Sequence, residues 1–123
     1  MTTYKLKAVL ISLLIFCCVS YAATQTSCPK VINPLLDWVM PPNNTAAIPT
    51  REAFQGNDLN FSVIAKPRNR NNIVSINPQT GEIHINAKFG DQFDVTVIAK
   101  NPCGQITATF NVLIDEGNDD PIN

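Results

Sequence analysis

Short runs of alternating apolar and polar residues are the feature that most constrains the fold of this chain. The clearest run, residues 105–115, has an apolar side chain at almost every second position. A period of two is typical of a β-strand with one buried face. Similar runs are separated by turns rich in Pro, Asn and Gly, and they cover residues 59–65, 73–76, 82–86 and 93–100. This spacing, without a helical period, predicts an all-β antiparallel β-sandwich of about seven strands.

The turn between two of these runs indicates a β-hairpin. Residues 77–81, Asn-Pro-Gln-Thr-Gly, supply a proline with a preset φ and a glycine that can adopt a positive φ. The flanking runs, 73–76 and 82–86, are therefore expected to pair. The period of two places His84 on the solvent face of the second strand.

The same alternation predicts which side chains form the core. One face of each run is assigned to the interior. An error of one residue in the register of a strand would exchange its buried and exposed side chains. The predicted core consists of Leu59, Phe61, Val63, Ile76, Ile83, Ile85, Phe93, Val95, Val97, Ala99, Ile106, Ala108, Phe110 and Val112.

The N-terminus has the organisation of a secretory signal peptide. A basic head with Lys5 and Lys7 precedes an uncharged apolar run over residues 8–19 and a small-residue segment ending at Ala23. The apolar run is shorter than the roughly 20 residues that a spanning helix needs. We therefore expect a secreted protein, extracellular or periplasmic, with no transmembrane segment in the mature chain. A retained membrane anchor and a lipoprotein are the alternatives.

The predicted organisation has four parts. After the signal peptide, prolines interrupt every potential helix or central strand in an irregular lead-in. The parts are a signal peptide over 1–22, the lead-in over 23–44, the sandwich over 45–115 and an acidic tail over 116–123.

Removal of the signal peptide would leave two of the four cysteines. Cys17 and Cys18 belong to the leader, whereas Cys28 and Cys103 would enter an oxidising compartment. In a sandwich the lead-in and the last hairpin turn lie at the same end. We therefore expect Cys28 and Cys103 to form a disulfide, with two unrelated thiols as the alternative.

Charge and residue content argue against several classes of function. Nine Lys and Arg against ten Asp and Glu provide no basic surplus for binding nucleic acid. One His and two cysteines cannot complete a tetrahedral zinc site. No nucleophile or acid–base motif such as G-x-S-x-G is present, so the sequence predicts no enzyme and no cofactor.

The order of several short motifs resembles that of a known class of extracellular module. The motifs are Leu59–Val63, Ile76–Ile83, Phe93–Asn101 and Thr109–Val112. Over about residues 45–115 they resemble the immunoglobulin-like, dystroglycan-type cadherin-like domains. The resemblance implies an immunoglobulin/cadherin-like sandwich that lacks catalytic residues. It also implies adhesion to, or binding of, an extracellular protein or glycan.

The C-terminal tail partly resembles the acidic linker of true cadherin repeats, which binds calcium. Calcium needs six to eight oxygen ligands, and residues 88–92 lack the remaining cadherin ligands. A calcium-dependent cadherin-like spacer is therefore an alternative function, and a solvated tail is the simpler interpretation. The weak calcium candidates are Asp115, Glu116, Asn118, Asp119 and Asp120.

Residues 77–81 also resemble the N-P-T-T-G loop of chagasin-type inhibitors of papain-like proteases. Such inhibitors use two further loops, one Gly-rich and one Arg-Pro-aromatic. Neither occurs after Gly81. A secreted protease inhibitor is a minor alternative.

Partner contacts are expected on loops at one end of the sandwich. Loops 66–72 and 101–104 should project together beside the disulfide and the lead-in. The candidate contact residues are Trp38, Arg68, Arg70 and Asn101. For Trp38, packing beneath the sandwich is the alternative. Asn43 and Asn60 begin N-x-[ST] sequons, which matter in a eukaryotic source.

Overall fold

The computed structural model of the protein describes residues 26–117. The predicted signal peptide, including Cys17 and Cys18, lies outside the described residues. So do three of the calcium candidates, Asn118, Asp119 and Asp120. Within the described part of the chain, no helix has the length and apolar character needed to cross a membrane.

Strands account for nearly all of the regular structure between residues 26 and 117. A short 3₁₀ helix, Arg51–Ala53, separates the third strand from the fourth. The strands are β1 (Lys30–Val31), β2 (Trp38–Met40), β3 (Asn44–Pro49), β4 (Phe54–Gln55), β5 (Asn60–Ala65), β6 (Ile73–Ile76), β7 (Glu82–Ala87), β8 (Asp91–Asn101) and β9 (Gly104–Ile114).

Seven of these strands form the two sheets of a β-sandwich. One sheet has the order β2-β9-β8-β5, the other has the order β3-β7-β6, and β1 pairs with β4 in a separate ribbon. The predicted seven-stranded all-β sandwich is confirmed. One pair departs from the antiparallel expectation, because β2 runs parallel to β9. The lead-in pairs first with β4, in the separate ribbon, and then with β9, in the four-stranded sheet.

The five alternating runs correspond closely to β5–β9. The hairpin of β6 and β7 is confirmed, with Ser75 opposite His84 and Ile76 opposite Ile83. His84 is exposed, as its position in the alternation predicted, and its Nε2 lies 2.9 Å from Glu82 Oε1. Strand β2 is only three residues long, which is too short for its period to be recognised in the sequence.

Most of the predicted core is buried, and the register of β8 is confirmed. Val95, Val97 and Ala99 are fully buried. Four predicted core residues are only half-buried against the core: Val63, Ile76, Ile106 and Ala108. The first two lie on the edge strands β5 and β6. The other two lie on the part of β9 that β2 does not reach, since β2 pairs only with residues 112–114.

The core also contains side chains that the alternation did not include. The buried apolar residues outside the predicted set are Met40, Ile48, Ala53, Phe54, Ala87 and Ile114. Most of them come from the proline-rich segment before residue 58. Phe54 packs against Phe61 with their ring centroids 5.9 Å apart. The lead-in therefore contributes Met40 to the core, and the segment that follows it contributes Ile48, Ala53 and Phe54.

The turn at residues 77–81 joins the two sheets. Asn77 Oδ1 accepts hydrogen bonds from the backbone N–H groups of Gln79 and Thr80 at 2.9 and 3.1 Å. Gly81 has φ +75°, and a Cβ there would lie 3.3 Å from the Phe61 ring. The Phe61 N–H donates to the Pro78 carbonyl at 2.8 Å. This motif therefore has a structural role, because it attaches the β6–β7 hairpin to β5.

The predicted disulfide between Cys28 and Cys103 is present, with 5.0 Å between the Cα atoms. Beneath it, Asn101 is 6% exposed, and its side-chain amide donates to the carbonyls of Ser27 at 2.7 Å and Asn57 at 2.9 Å. The Cys103 N–H donates to Asn101 Oδ1 at 2.9 Å. The disulfide and this amide together attach the lead-in to the β8–β9 turn.

Substituting Phe110 with Ala should lower the free energy of unfolding by about 3–5 kcal/mol, because it removes a central ring and leaves a cavity. Denaturant unfolding measures the change. Thr107→Ala, at an exposed position on the same strand, should change stability by less than about 0.5 kcal/mol. Equal effects of the two substitutions would contradict the assigned core face of β9.

Opening the disulfide should lower stability by about 2–4 kcal/mol, because the bond closes a long loop in the unfolded chain. The two cysteines are 75 residues apart. Thermal melts with and without reductant measure the loss, and the double variant Cys28→Ser/Cys103→Ser should be insensitive to reductant. Mass spectrometry of non-reduced peptides that found two free thiols would refute the bond.

Candidate functional site

The two loops expected to share one end of the sandwich lie at opposite ends, so that expectation is wrong. Strand β5 runs from Asn60, opposite Lys100, to Ala65, opposite Val95. The loop 66–72 that follows is therefore remote from the β8–β9 turn. Eleven residues of β8 separate the two ends, a length of about 35 Å. We refer to residues 27–28, 56–58 and 101–104 as the disulfide end, and to residues 66–72, 88–91 and 115–117 as the Asp91 end.

Two buried or partly buried polar side chains organise the Asp91 end. Asn72 is 3% exposed, and its Oδ1 accepts hydrogen bonds from the N–H groups of Lys88 at 2.7 Å and Phe89 at 3.1 Å. Its amide donates to Asp91 Oδ2 at 3.1 Å. The same carboxylate oxygen accepts the Asn69 N–H at 3.0 Å. These bonds hold loop 66–72 against the β7–β8 turn.

The environment of Asp91 lowers the pKa of its carboxyl group below the ordinary aspartate value. Burial is the largest single influence and acts to raise the pKa. It is outweighed by hydrogen bonds to the ionised form from the Asn69 backbone, the Asn72 side chain and the backbone of Gln92 and Arg68. The ionised Asp91 therefore stabilises the loop that carries the basic residues.

A cleft of about 520 Å³ opens at this end on the outer face of β5, β8 and β9. Lys66 and Arg68 line it from the loop, and both side chains are exposed. Neither forms an ion pair with any of residues 26–117, where the contact between His84 and Glu82 is the only one. We call this feature the polar cleft.

The sheet side of the polar cleft is a row of hydrogen-bonded polar side chains. Asn111 accepts from the Gln92 amide at 3.0 Å and donates to Asp94 Oδ1 at 3.1 Å. Next to it, the hydroxyl groups of Thr96 and Thr109 lie 2.9 Å apart. These residues occupy the outward positions of β8 and β9, so the alternation that predicted the core could also have identified them. The sequence prediction, which named charged loop residues, did not include them.

Trp38 lies apart from the basic loop, half-buried on the inner face of β2. It stands opposite Val112 and packs against the core, as the packing alternative predicted. It also lines a second, mainly apolar pocket of about 390 Å³ together with Leu36, Ile48 and Phe110. No residue lines both this pocket and the polar cleft.

The remaining candidate residues are distributed between the two ends. Arg70 is exposed on the same loop as Arg68, whereas Asn101 is buried at the disulfide end. The two arginines therefore share one loop, which lies at the end remote from Asn101. The sequon residues Asn43 and Asn60 are both exposed.

Two of the calcium candidates, Asp115 and Glu116, belong to the described residues and lie at the Asp91 end. Glu116 Oε2 accepts the Gly90 N–H at 2.9 Å, and Asp115 Oδ1 accepts the Gly117 N–H at 2.9 Å. Between residues 26 and 117, no three His, Cys, Asp or Glu side chains are grouped so that they could hold a metal ion.

No protein-family model matches the chain, and no curated protein does. Solved structures do match it. One is a SusE-like surface-located polysaccharide-binding protein from the Bacteroides thetaiotaomicron heparin utilisation locus, with a TM-score of 0.58 and 23% identity over 72% of this chain. Another is titin domain M7, with a TM-score of 0.54 and 15% identity over 76% of this chain and 99% of that one.

A third similar structure is a Bacteroides fragilis protein assigned as an α-galactosidase/melibiase, with a TM-score of 0.55 and 14% identity over 72% of this chain. The match spans only 15% of the length of the polysaccharide-binding protein and 18% of that of the galactosidase. At these identities the likeness concerns the fold. The chain has an immunoglobulin-like β-sandwich fold.

Acidification should destabilise the protein partly through Asp91. Because the folded-state pKa of this group is depressed, its contribution is present above the unfolded-state pKa of about 3.9 and is lost as the pH falls through the folded value. Urea unfolding between pH 6 and pH 3 should therefore show a shallower loss of stability in Asp91→Asn than in the wild type. Asp58→Asn, at an exposed position outside this network, should retain the wild-type slope. An unchanged slope in Asp91→Asn would contradict the role assigned to this carboxylate.

Proposed function

We propose that this chain is an exported, non-catalytic immunoglobulin-like binding module whose polar cleft recognises an extracellular glycan bearing acidic groups. The observation that carries the proposal is the position of Lys66 and Arg68. Both lie without an ion-pair partner among the described residues, beside an ordered row of amides and hydroxyls. Cations at the edge of such a cleft attract carboxylate or sulfate groups, and the row supplies donors and acceptors for sugar hydroxyls.

The hydrogen bonds within the row favour binding because they hold its side chains in place before a ligand arrives. Asn111 is fixed by Gln92 and Asp94, so less side-chain freedom is lost on binding. Ile64, 53% exposed at the edge of the cleft, offers an apolar surface for the carbon face of a sugar ring. The volume of the cleft, about 520 Å³, lies within the range of ligand sites.

A glycan is favoured over a protein partner by two considerations. The first is the concave polar shape of the cleft, since protein interfaces usually centre on apolar or aromatic anchors. The second is the similarity in fold to a polysaccharide-binding protein. Export is supported by the leader-like N-terminus and by the disulfide between Cys28 and Cys103.

The alternative function, a calcium-dependent spacer, would also use the Asp91 end. Its two described candidates, Asp115 and Glu116, already accept backbone hydrogen bonds, which makes them less available as ligands.

The protease-inhibitor alternative rests on residues 77–81. The backbone of that turn is bonded to β5 through Phe61, and this attachment accounts for the motif without a protease partner.

Arg68→Glu should lower the affinity for the glycan at least about tenfold, because it replaces an attractive charge with a repulsive one. A glycan array that includes carboxylated and sulfated polysaccharides identifies the ligand, and titration calorimetry at two salt concentrations measures its affinity. Binding by the wild type should weaken at higher ionic strength.

Lys100→Glu is the matched control. It makes the same charge reversal on the same outer face, at the other end of β8, and should leave the affinity within about twofold, since the charge is screened over that distance. Binding lost equally in both variants would indicate a general charge effect. Binding only to proteins would exclude the glycan. A melting temperature raised by millimolar Ca²⁺ and restored by chelator would favour the spacer instead.

A further inference from the structure

We propose that residues 118–123, the acidic segment that follows the described part of the chain, dock on loop 66–72 and occupy the edge of the polar cleft. The segment reads Asn-Asp-Asp-Pro-Ile-Asn and contributes the carboxylates of Asp119 and Asp120. Docking pairs these carboxylates with the cations of the loop and does not depend on the proposed function. Its consequence, competition between the segment and an acidic glycan, does rest on that function.

The cations of loop 66–72 carry the proposal. Lys66, Arg68 and Arg70 are exposed, and none of them forms an ion pair with any of residues 26–117. The loop contains no acidic residue, so its like charges repel one another and attract an anionic segment nearby. Lys66 and Arg68 also line the polar cleft. A carboxylate that pairs with them therefore lies where an acidic ligand would bind.

The described chain reaches its last residues at the same end as this loop. Glu116 Oε2 accepts the Gly90 N–H at 2.9 Å. The residue after Gly90 is Asp91, whose Oδ2 accepts the Asn69 N–H at 3.0 Å. Two hydrogen bonds and one peptide unit thus connect Glu116 with the middle of the loop. The acidic segment begins two residues after Glu116, close to the cations that it would neutralise.

The backbone bends at Gly117, which favours a path across this end of the sandwich over a straight continuation of β9. Gly117 has φ +68°, a left-handed conformation that glycine adopts without strain. Its N–H donates to Asp115 Oδ1 at 2.9 Å. Asp119 and Asp120 follow by two and three residues, so the chain allows their Cα atoms to lie at most about 7 and 11 Å from that of Gly117. The long side chains of the loop add reach from the other side.

The tether favours this segment over other anionic partners. A segment joined to the site by a short flexible connection has an effective concentration in the millimolar range, so a weak contact is sufficient. The acidic segment of a second copy has the same charges but lacks this advantage. Calcium is the less supported partner, because it needs six to eight oxygen ligands and both Asp115 and Glu116 already accept backbone hydrogen bonds.

The ¹H–¹⁵N amide spectrum of the folded protein tests the docking directly. The double variant Asp119→Asn/Asp120→Asn should shift the amide peaks of residues 66–70, because the loop loses its anionic neighbour. Added salt should move the wild-type peaks toward those of the variant, since exposed ion pairs are screened. Asp119→Glu/Asp120→Glu keeps both charges and should resemble the wild type. Asp58→Asn, at an exposed position of the disulfide end, controls for net charge and should leave the loop peaks unchanged.

Dextran sulfate is the acidic probe for the competition. Asp119→Asn/Asp120→Asn should bind it about two- to tenfold more tightly than the wild type, a modest gain because exposed ion pairs are individually weak. In an Arg68→Gln background the same substitutions should bring a smaller gain, since the segment and the probe then share one contact fewer. Titration calorimetry measures the four affinities.

Loop peaks that are the same in the wild type and in Asp119→Asn/Asp120→Asn would overturn the docking. Wild-type loop peaks that move on dilution would assign the contact to two copies of the chain instead. Millimolar Ca²⁺ that shifts the peaks of Asp119 and Asp120 but not those of the loop would assign these carboxylates to calcium. Shifted loop peaks with an unchanged affinity for dextran sulfate would refute the competition. If neither protein binds the probe, the proposed function fails, and the spectra still decide the docking.

Discussion

The pairing of β8 with β9 is the interaction on which the rest of the structure depends. Eleven residue pairs, from Asp91 opposite Ile114 to Asn101 opposite Gly104, form one continuous antiparallel ladder. Its inner face carries much of the core, its edges accept β5 and β2, and its outer face carries the polar row. Because side chains alternate strictly along both strands, one register determines the core face and the face that carries the polar row together.

The two ends of this ladder are stabilised by different chemistry. At the disulfide end, a covalent bond and the buried Asn101 amide attach the lead-in. At the Asp91 end, hydrogen bonds to a carboxylate and to Asn72 hold the loop that presents Arg68 and Lys66. The loop backbone is thereby anchored while its cationic side chains remain exposed. This combination suits a surface that must offer charge in a defined place.

The path of the lead-in also produces the pocket at Trp38, because residues 33–36, between β1 and β2, line it. A segment interrupted by proline cannot continue a sheet, so it closes the sandwich only loosely between β1 and β2. The cost is one indole N–H without a partner. The polar cleft lies on the outer face of β5, β8 and β9, whereas this apolar pocket is lined by the lead-in, β3 and β9.

The alternation of side chains was sufficient to predict β5–β9 and the burial of residues such as Val95 and Phe110. The Pro and Gly of residues 77–81 were sufficient to predict the hairpin turn. Period, turn chemistry and face are all local properties. Local pattern could not show that Ile48 and Phe54 complete the core, since proline breaks the period around them. Nor could it show that loop 66–72 lies at the end remote from Cys103, because the direction in which β5 pairs with β8 is set by the packing of the whole sandwich. The cysteine count predicted the disulfide, but only the tertiary structure placed Asn101 beneath it and Arg68 beside Asn111. Contacts between residues far apart in sequence depend on topology, which the sequence encodes only through the packing of the complete chain.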